Sequence, residues 1–180
     1  MKAKEINGKT FVTMITKKQI AKTIKRLAKE IETDFRYKKP PVFLIITNGS
    51  IIFAADLIRK IKLDTEYYCM SASSYKERLY STNVTVEELD VDLNGRDVII
   101  IEDIVDTGKT INKIINVLKK KSPHSIEIAT LLKKKTQEET VNVKYTGFNI
   151  DHNFVVGYGL DYANLGRNLT DIYDLIDSKE

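Results

Sequence analysis

Cysteine is nearly absent: Cys69 is the one thiol in 180 residues. That excludes an internal disulfide and a cysteine-based zinc site, and the apolar, strand-like context of Cys69 reads as a core thiol in a reducing compartment. No apolar run approaches the roughly 20 residues that a membrane-spanning helix needs. Met1 is followed by a polar, charged stretch instead of the apolar segment of a signal peptide. The expected location is therefore cytoplasmic, with no membrane partner, and the sequons at Asn48, Asn83 and Asn168 carry no meaning as glycosylation sites. Proline is scarce, and its three residues, at 40, 41 and 123, break the chain between periodic segments. There is no internal repeat and no linker, so residues 1–180 are expected to form one domain, long enough for a sizeable core. A strong charge of one sign is missing too. A net charge of +4, with 42% hydrophobic and 30% charged residues, describes an ordinary globular chain. Its lysine clusters at 119–121 and 133–135 suit solvated faces or a polyphosphate substrate, and no nucleic-acid partner is expected.

What is present alternates between two periods. Ile20, Ile24, Leu27 and Ile31 recur at helical spacing over Lys17 to Thr33, with Thr16 as N-cap. Val42 to Ile46 reads as a buried strand running into the turn Thr47-Asn48-Gly49-Ser50, and Ile51 to Ile61 returns to a helical pattern. Tyr67 to Met70 and Ile126 to Leu132 read as further strands. The polar stretch from Ser71 to Asp90 lacks periodicity, and a long irregular segment in a small domain is usually a functional lid or disordered. Short strands over Val143 to Phe148 and Phe154 to Val156 are expected to cap the sheet. The alternation predicts an α/β fold with a largely parallel sheet.

The densest chemistry lies between Val98 and Thr110. Val98-Ile99-Ile100-Ile101 reads as a buried parallel strand, and Ile111, Ile114, Ile115 and Leu118 mark one face of the helix that follows. Between them stand Glu102, Asp103 and Asp106, then Thr107-Gly108-Lys109-Thr110. In an open α/β sheet, ligands sit beyond the carboxyl ends of the strands, where a helix N-terminus offers backbone N–H groups to an anion. Gly108 lets the backbone approach a phosphate, and Thr107 and Thr110 can add hydroxyl bonds. Glu102 and Asp103 would repel that phosphate unless they face sugar hydroxyls or a divalent cation. Gly108-Lys109-Thr110 matches the tail of a Walker A loop, but that loop needs Gly where this chain has Asp103, which argues against a P-loop NTPase. A receiver-type phosphoacceptor site or a plain helix N-cap are the other readings of an acidic pair that ends a strand.

The string of apolar strand, Glu-Asp, two apolar residues and Asp-Thr-Gly-Lys-Thr resembles the phosphoribosyl-pyrophosphate (PRPP) signature of the type I phosphoribosyltransferases. With further segments out to Arg167, the chain is similar to the hypoxanthine-guanine members of that family, in particular the shorter bacterial type. The resemblance implies a central sheet flanked by helices and a small hood formed by the chain-terminal segments. It implies PRPP and a 6-oxopurine as substrates, Mg²⁺ as cofactor, and a homo-oligomer, dimer or tetramer. By the same resemblance Asp106 to Thr110 hold the 5′-phosphate, and Glu102 and Asp103 meet the ribose hydroxyls and Mg²⁺. Asp106 handles the proton on the imidazole side of the purine. Asn48 and Gly49 belong to a turn with a non-proline cis peptide that receives pyrophosphate, and Arg167 is a second pyrophosphate contact. Lys134 meets the 6-oxo group, Phe154 stacks on the base, Val155 contacts it through its backbone, and Asp161 is a Mg²⁺-associated carboxylate. Ser74 and Tyr75 resemble the dipeptide of a mobile loop.

The sequence departs from that pattern at two places. Asn48 stands where many relatives carry a cation, and Lys133-Lys134-Lys135 replaces Asp-Lys-Pro, with the register from Thr130-Leu131-Leu132 favouring Lys134 as the base contact. A regulator that senses PRPP and binds nucleic acid would need an added basic extension, which this chain lacks. A member specific for adenine, orotate or uracil would share the PRPP turn but not the grouping of Lys134, Phe154 and Asp161.

Overall fold

Branched residues cluster in the central strands because those strands are buried on both faces. The computed structural model describes residues 2–74, 84–86, 90–136, 139–151 and 153–176. Its elements run β1 (Ala3–Ile6), β2 (Lys9–Ile15), α1 (Lys17–Asp34), β3 (Val42–Thr47), α2 (Ile51–Ile58), β4 (Glu66–Ser74), β5 (Val84–Val86), β6 (Asp97–Val105), α3 (Lys109–Lys119), β7 (Ser125–Lys134), β8 (Tyr145–Ile150), β9 (Val155–Val156) and β10 (Ile172–Leu175). Strands β4, β3, β6, β7 and β8 lie side by side and parallel, with β5 antiparallel beyond β4. Strand residues alternate between two apolar layers. Phe43, Ile45, Ile99, Ile101 and Leu131 pack with Ile24 and Leu27 of α1 and Phe53 and Leu57 of α2. Val42, Leu44, Val98, Ile100 and Ile128 pack with Ile111, Ile114 and Leu118 of α3. Each such side chain, fully buried, contributes roughly 1.5–3 kcal/mol relative to exposure.

The first helix starts where its sequence says it should. The Thr16 hydroxyl accepts from the Gln19 N–H at 3.4 Å, and the Gln19 side-chain Oε1 accepts from the Thr16 N–H at 2.9 Å. This capping box satisfies two otherwise unpaired donors. The chain ends then meet in a second, antiparallel sheet in the order β1-β2-β10-β9, over a small core of Phe11, Val156 and Tyr173. This is the hood.

Four expectations change. Strand β6 runs on through Glu102 and Asp103 to Val105, so the acidic pair sits on the strand and not in the loop after it. Register explains this: Glu102 opposes Thr130 and Val105 opposes Lys133, and the long partner β7 extends the ladder. Strand β8 pairs parallel with β7 and therefore extends the sheet instead of capping it; capping begins at Val155. Gly147 permits the close approach, since a Cβ there would lie 2.3 Å from the Leu131 carbonyl oxygen. The stretch after Met70 is not irregular at its start, because Ser71 to Ser74 continue β4 and residues 72–74 pair with β5. Polar side chains do not prevent backbone pairing at a sheet edge. Most of the remaining stretch to Asp90, including Tyr75 of the expected loop dipeptide, lies outside the described residues, whereas Ser74 ends β4. Finally, Cys69 is exposed and not a core thiol. It shares a strand face with Tyr67, which is also exposed. Among the described residues no helix is long and apolar enough to cross a membrane.

Candidate active site

Parallel strands deliver their carboxyl ends to one edge, so the loops after β3, β6 and β7 share that side of the sheet. A cavity of about 230 Å³ opens there, lined by Ile46 and Thr47 of β3, by Glu102, Ile104 and Val105 of β6, and by Asp106 through Ile111. Wider grooves of about 520 Å³ at the start of α1 and about 680 Å³ along its later part are not lined by any residue of the turns after β3 and β6. The smaller cavity brings Thr47, Glu102, Asp106, Thr107, Lys109 and Thr110 together at these strand ends.

The loop after β6 has the backbone shape of a cradle that could accept an anion. Gly108 adopts φ 80°, the left-handed region that glycine enters without a steric cost, and forms the N-cap of α3. Gly108 has no side chain to cap this helix, the Thr107 hydroxyl accepts only a long bond from the Lys109 N–H at 3.5 Å, and the first turn has no acidic residue, so the positive end of the helix dipole meets the cavity. The cradle is braced from behind by a segment that sequence reading passed over. Thr140 donates to the Thr107 carbonyl from both its N–H (3.2 Å) and its hydroxyl (2.6 Å). No local motif marks Thr140, and only the return of the chain after β7 brings it here.

The loop after β3 forms a second cradle. The Thr47-Asn48 peptide is cis, as the resemblance implied, and Asn48 is exposed at the tip. Gly49 is wedged between two neighbours: an added Cβ would lie 1.9 Å from Asp103 Oδ2, while a Cβ on Gly159 of the hood would lie 2.0 Å from the Gly49 carbonyl oxygen. The hood is tied down nearby, where the Tyr158 hydroxyl donates to Asp56 of α2. Arg167 donates to the Gly159 carbonyl at 2.7 Å and pairs with Asp161 at 2.7 Å. Asp161 also accepts from the Asn164 N–H at 2.8 Å. Asp161 and Arg167 thus come together as an ion pair.

Between the cradles lies the acidic pair. Asp103 is buried, with Oδ1 accepting from the Ile104 N–H at 3.0 Å. Glu102 Oε2 is buried without a hydrogen-bond partner. Burial, and then the neighbouring Asp103 carboxylate, push the Glu102 pKa well above its ordinary 4.5. A proton, a sugar hydroxyl or a cation would relieve this. Mg²⁺ fits these donors on chemical grounds, because it binds through one or two carboxylates and takes the rest of its shell from water and substrate oxygens. Among the described residues no three His, Cys, Asp or Glu side chains converge as a metal-binding group, so Asp161 and the Glu102–Asp103 pair do not form one cage.

The third strand end brings one of its three lysines against Asp106. Lys134 Nζ lies 3.4 Å from Asp106 Oδ2, whereas Lys133 pairs with Glu139 at 3.1 Å and Lys135 with Asp151 at 3.0 Å. A cationic donor and a carboxylate therefore stand together at the start of the loop after β6. Phe154 is about half exposed and makes an edge contact with Tyr162, ring centres 5.6 Å apart. The next residue, Val155, is buried and pairs with Asp174, which fixes the direction of the Phe154 backbone.

A family model described as a phosphoribosyl transferase domain matches residues 12–163. The hypoxanthine phosphoribosyltransferase of Buchnera aphidicola subsp. Schizaphis graminum is 37% identical over 174 residues, covering 94% of this chain and 98% of that one. The hypoxanthine-guanine phosphoribosyltransferase of Aquifex aeolicus is 35% identical and covers 94% of this chain and 97% of its own. Among solved structures, a hypoxanthine phosphoribosyltransferase from Staphylococcus aureus in a tetragonal crystal is similar with a TM-score of 0.84 at 37% identity, over 91% of this chain and 90% of that one.

Proposed function

Since this chain belongs to the phosphoribosyltransferase family, we propose that it transfers the 5-phosphoribosyl group of PRPP to hypoxanthine or guanine, releasing pyrophosphate. The observation that carries the choice of base is the Lys134–Asp106 pair, 3.4 Å apart beside the phosphate cradle. An ammonium group only donates, so Lys134 serves a 6-oxo acceptor, while Asp106 accepts the proton from the imidazole side of the same purine.

The remaining roles follow from charge and position. The N-terminal end of α3 and the Asp106–Thr110 loop hold the 5′-phosphate, and the turn of Asn48 and Gly49, with Arg167 of the hood, receives the pyrophosphate. Glu102 and Asp103 orient the ribose hydroxyls and are the residues that would hold Mg²⁺ beside them, while Asp161, paired with Arg167, stands outside that group and would meet a Mg²⁺ only at a separate position. When bound, Mg²⁺ supplies positive charge that offsets the leaving pyrophosphate. Phe154 presents a ring face to the base. With both ends of PRPP fixed, the purine N9 forms its bond to C1′ as the bond from C1′ to pyrophosphate oxygen breaks, and catalysis rests on positioning and on electrostatics.

Incubating the chain with Mg²⁺, PRPP and each of hypoxanthine, guanine, xanthine and adenine, and measuring nucleotide and pyrophosphate, tests the reading. Hypoxanthine and guanine are expected to react and adenine is not. Turnover of adenine at the rate of hypoxanthine would refute the base assignment, and PRPP binding without turnover of any base would make the chain a sensor instead.

A further inference from the structure

The phosphate cradle is not held by its own bonds alone. The Thr107 carbonyl accepts both the N–H and the hydroxyl of Thr140, at 3.2 and 2.6 Å. The Thr140 carbonyl accepts in turn from Asn112 Nδ2 at 3.0 Å, and the Asn112 N–H donates to the Gly108 carbonyl at 2.9 Å. Val141 fills the space beside Gly108, where a Cβ would lie 2.5 Å from Val141 Cγ2. Glu139 takes the Lys133 ammonium at 3.1 Å, next to the strand end that carries Lys134. Residues 139–141 therefore strap the base-side strand end to the cradle.

An anion binds such a loop only if the amide N–H groups point inward and the carbonyl dipoles are held away. The Gly108 carbonyl is held by Asn112 of α3, and the Thr107 carbonyl is held from far along the chain by both donors of Thr140. We propose that Thr140 is a positioning residue for the 5-phosphate of PRPP, acting through the Thr107 carbonyl; this rests on the reaction proposed above. The Thr140 N–H survives any ordinary substitution, so the hydroxyl is the part that can be tested by itself.

Thr140→Val keeps the side-chain shape and removes the hydroxyl. It is expected to raise KM for PRPP about 10-fold, the effect of about one net hydrogen bond, while KM for hypoxanthine stays within about twofold. Thr140→Ser is expected to restore KM for PRPP, and Asn112→Ala to give a smaller rise of the same selectivity. An unchanged KM for PRPP in Thr140→Val, equal rises in both KM values, or a Thr140→Ser variant as impaired as Thr140→Val would each overturn the proposal. If the parent chain turns over no 6-oxopurine, the functional reading fails instead. The strap is then read from ribose 5-phosphate affinity, where a similar loss in Thr140→Val supports it and equal affinity refutes it.

Discussion

Replacing Lys134 by alanine separates base recognition from phosphate binding. The Lys134–Asp106 pair spans 3.4 Å, and the Asp106 side chain is 55% exposed, so solvent screens it. Such a pair contributes at most about 1 kcal/mol to folding, and the variant is expected to remain folded. Its effect on the reaction is larger. A hydrogen bond from a charged donor contributes roughly 1.5–3 kcal/mol, which is about 10- to 150-fold in kcat/KM for hypoxanthine. KM for PRPP is expected to stay within about threefold, because the donors of the α3 cradle are untouched. In the parent chain, adenine would turn its 6-amino donor toward the ammonium and leave that charge unpaired, so discrimination is expected to reach about 10⁴-fold. Lys134→Ala should narrow that gap by losing hypoxanthine activity without gaining adenine activity. Lys133→Ala and Lys135→Ala are expected to be mild, since those ammonium groups pair with Glu139 and Asp151. The assay is initial-rate nucleotide formation with each base at varied PRPP. Activity of Lys134→Ala on hypoxanthine within twofold of the parent would refute this reasoning, as would a larger loss in Lys133→Ala.

Other substitutions probe the rest of the site. Asp106→Asn is expected to leave PRPP binding, measured by calorimetry, nearly intact while lowering kcat by about two to four orders of magnitude, as for a lost acid/base group; full turnover would remove Asp106 from proton transfer. Gly49→Ala places a methyl group 1.9 Å from Asp103 Oδ2, so the buried carboxylate or the turn must move. Overpacking of this kind costs about 1–3 kcal/mol, and a parent-like melting temperature together with parent-like activity would show that the wedge is not tight. Glu102 has a raised pKa when folded, so its favourable contribution is complete below 4.5 and is lost as pH rises through the folded value. Glu102→Gln abolishes this titration. The variant should therefore melt close to the parent near pH 4 and above it at neutral and alkaline pH, and parallel melting curves across that range would contradict the buried, unpartnered carboxylate.

The sequence by itself determined the parts whose physics is local. A capping box at Thr16 and Gln19, runs of branched residues in β3 and β6, and a glycine at the start of α3 each act within a few residues, and these patterns place the elements, although β6 runs on past its branched residues to Val105. The motif from Glu102 to Thr110 is legible for the same reason, because strand, acidic pair and cradle are contiguous. The register of the lysines is different. The register from Thr130-Leu131-Leu132 favours Lys134, but Lys133, Lys134 and Lys135 are alike in type, and only the folded positions of Glu139, Asp106 and Asp151 show which partner each ammonium group takes. The hood was implied only by resemblance, since β2 and β10 find each other across nearly the whole chain and neither is periodic enough to declare a partner. Tertiary structure alone decided that β8 joins the sheet, that Cys69 is exposed, that Gly49 sits between Asp103 and Gly159, and that Thr140 backs the cradle. These are contacts between segments far apart in the chain, and a spacing rule sees only neighbours along it.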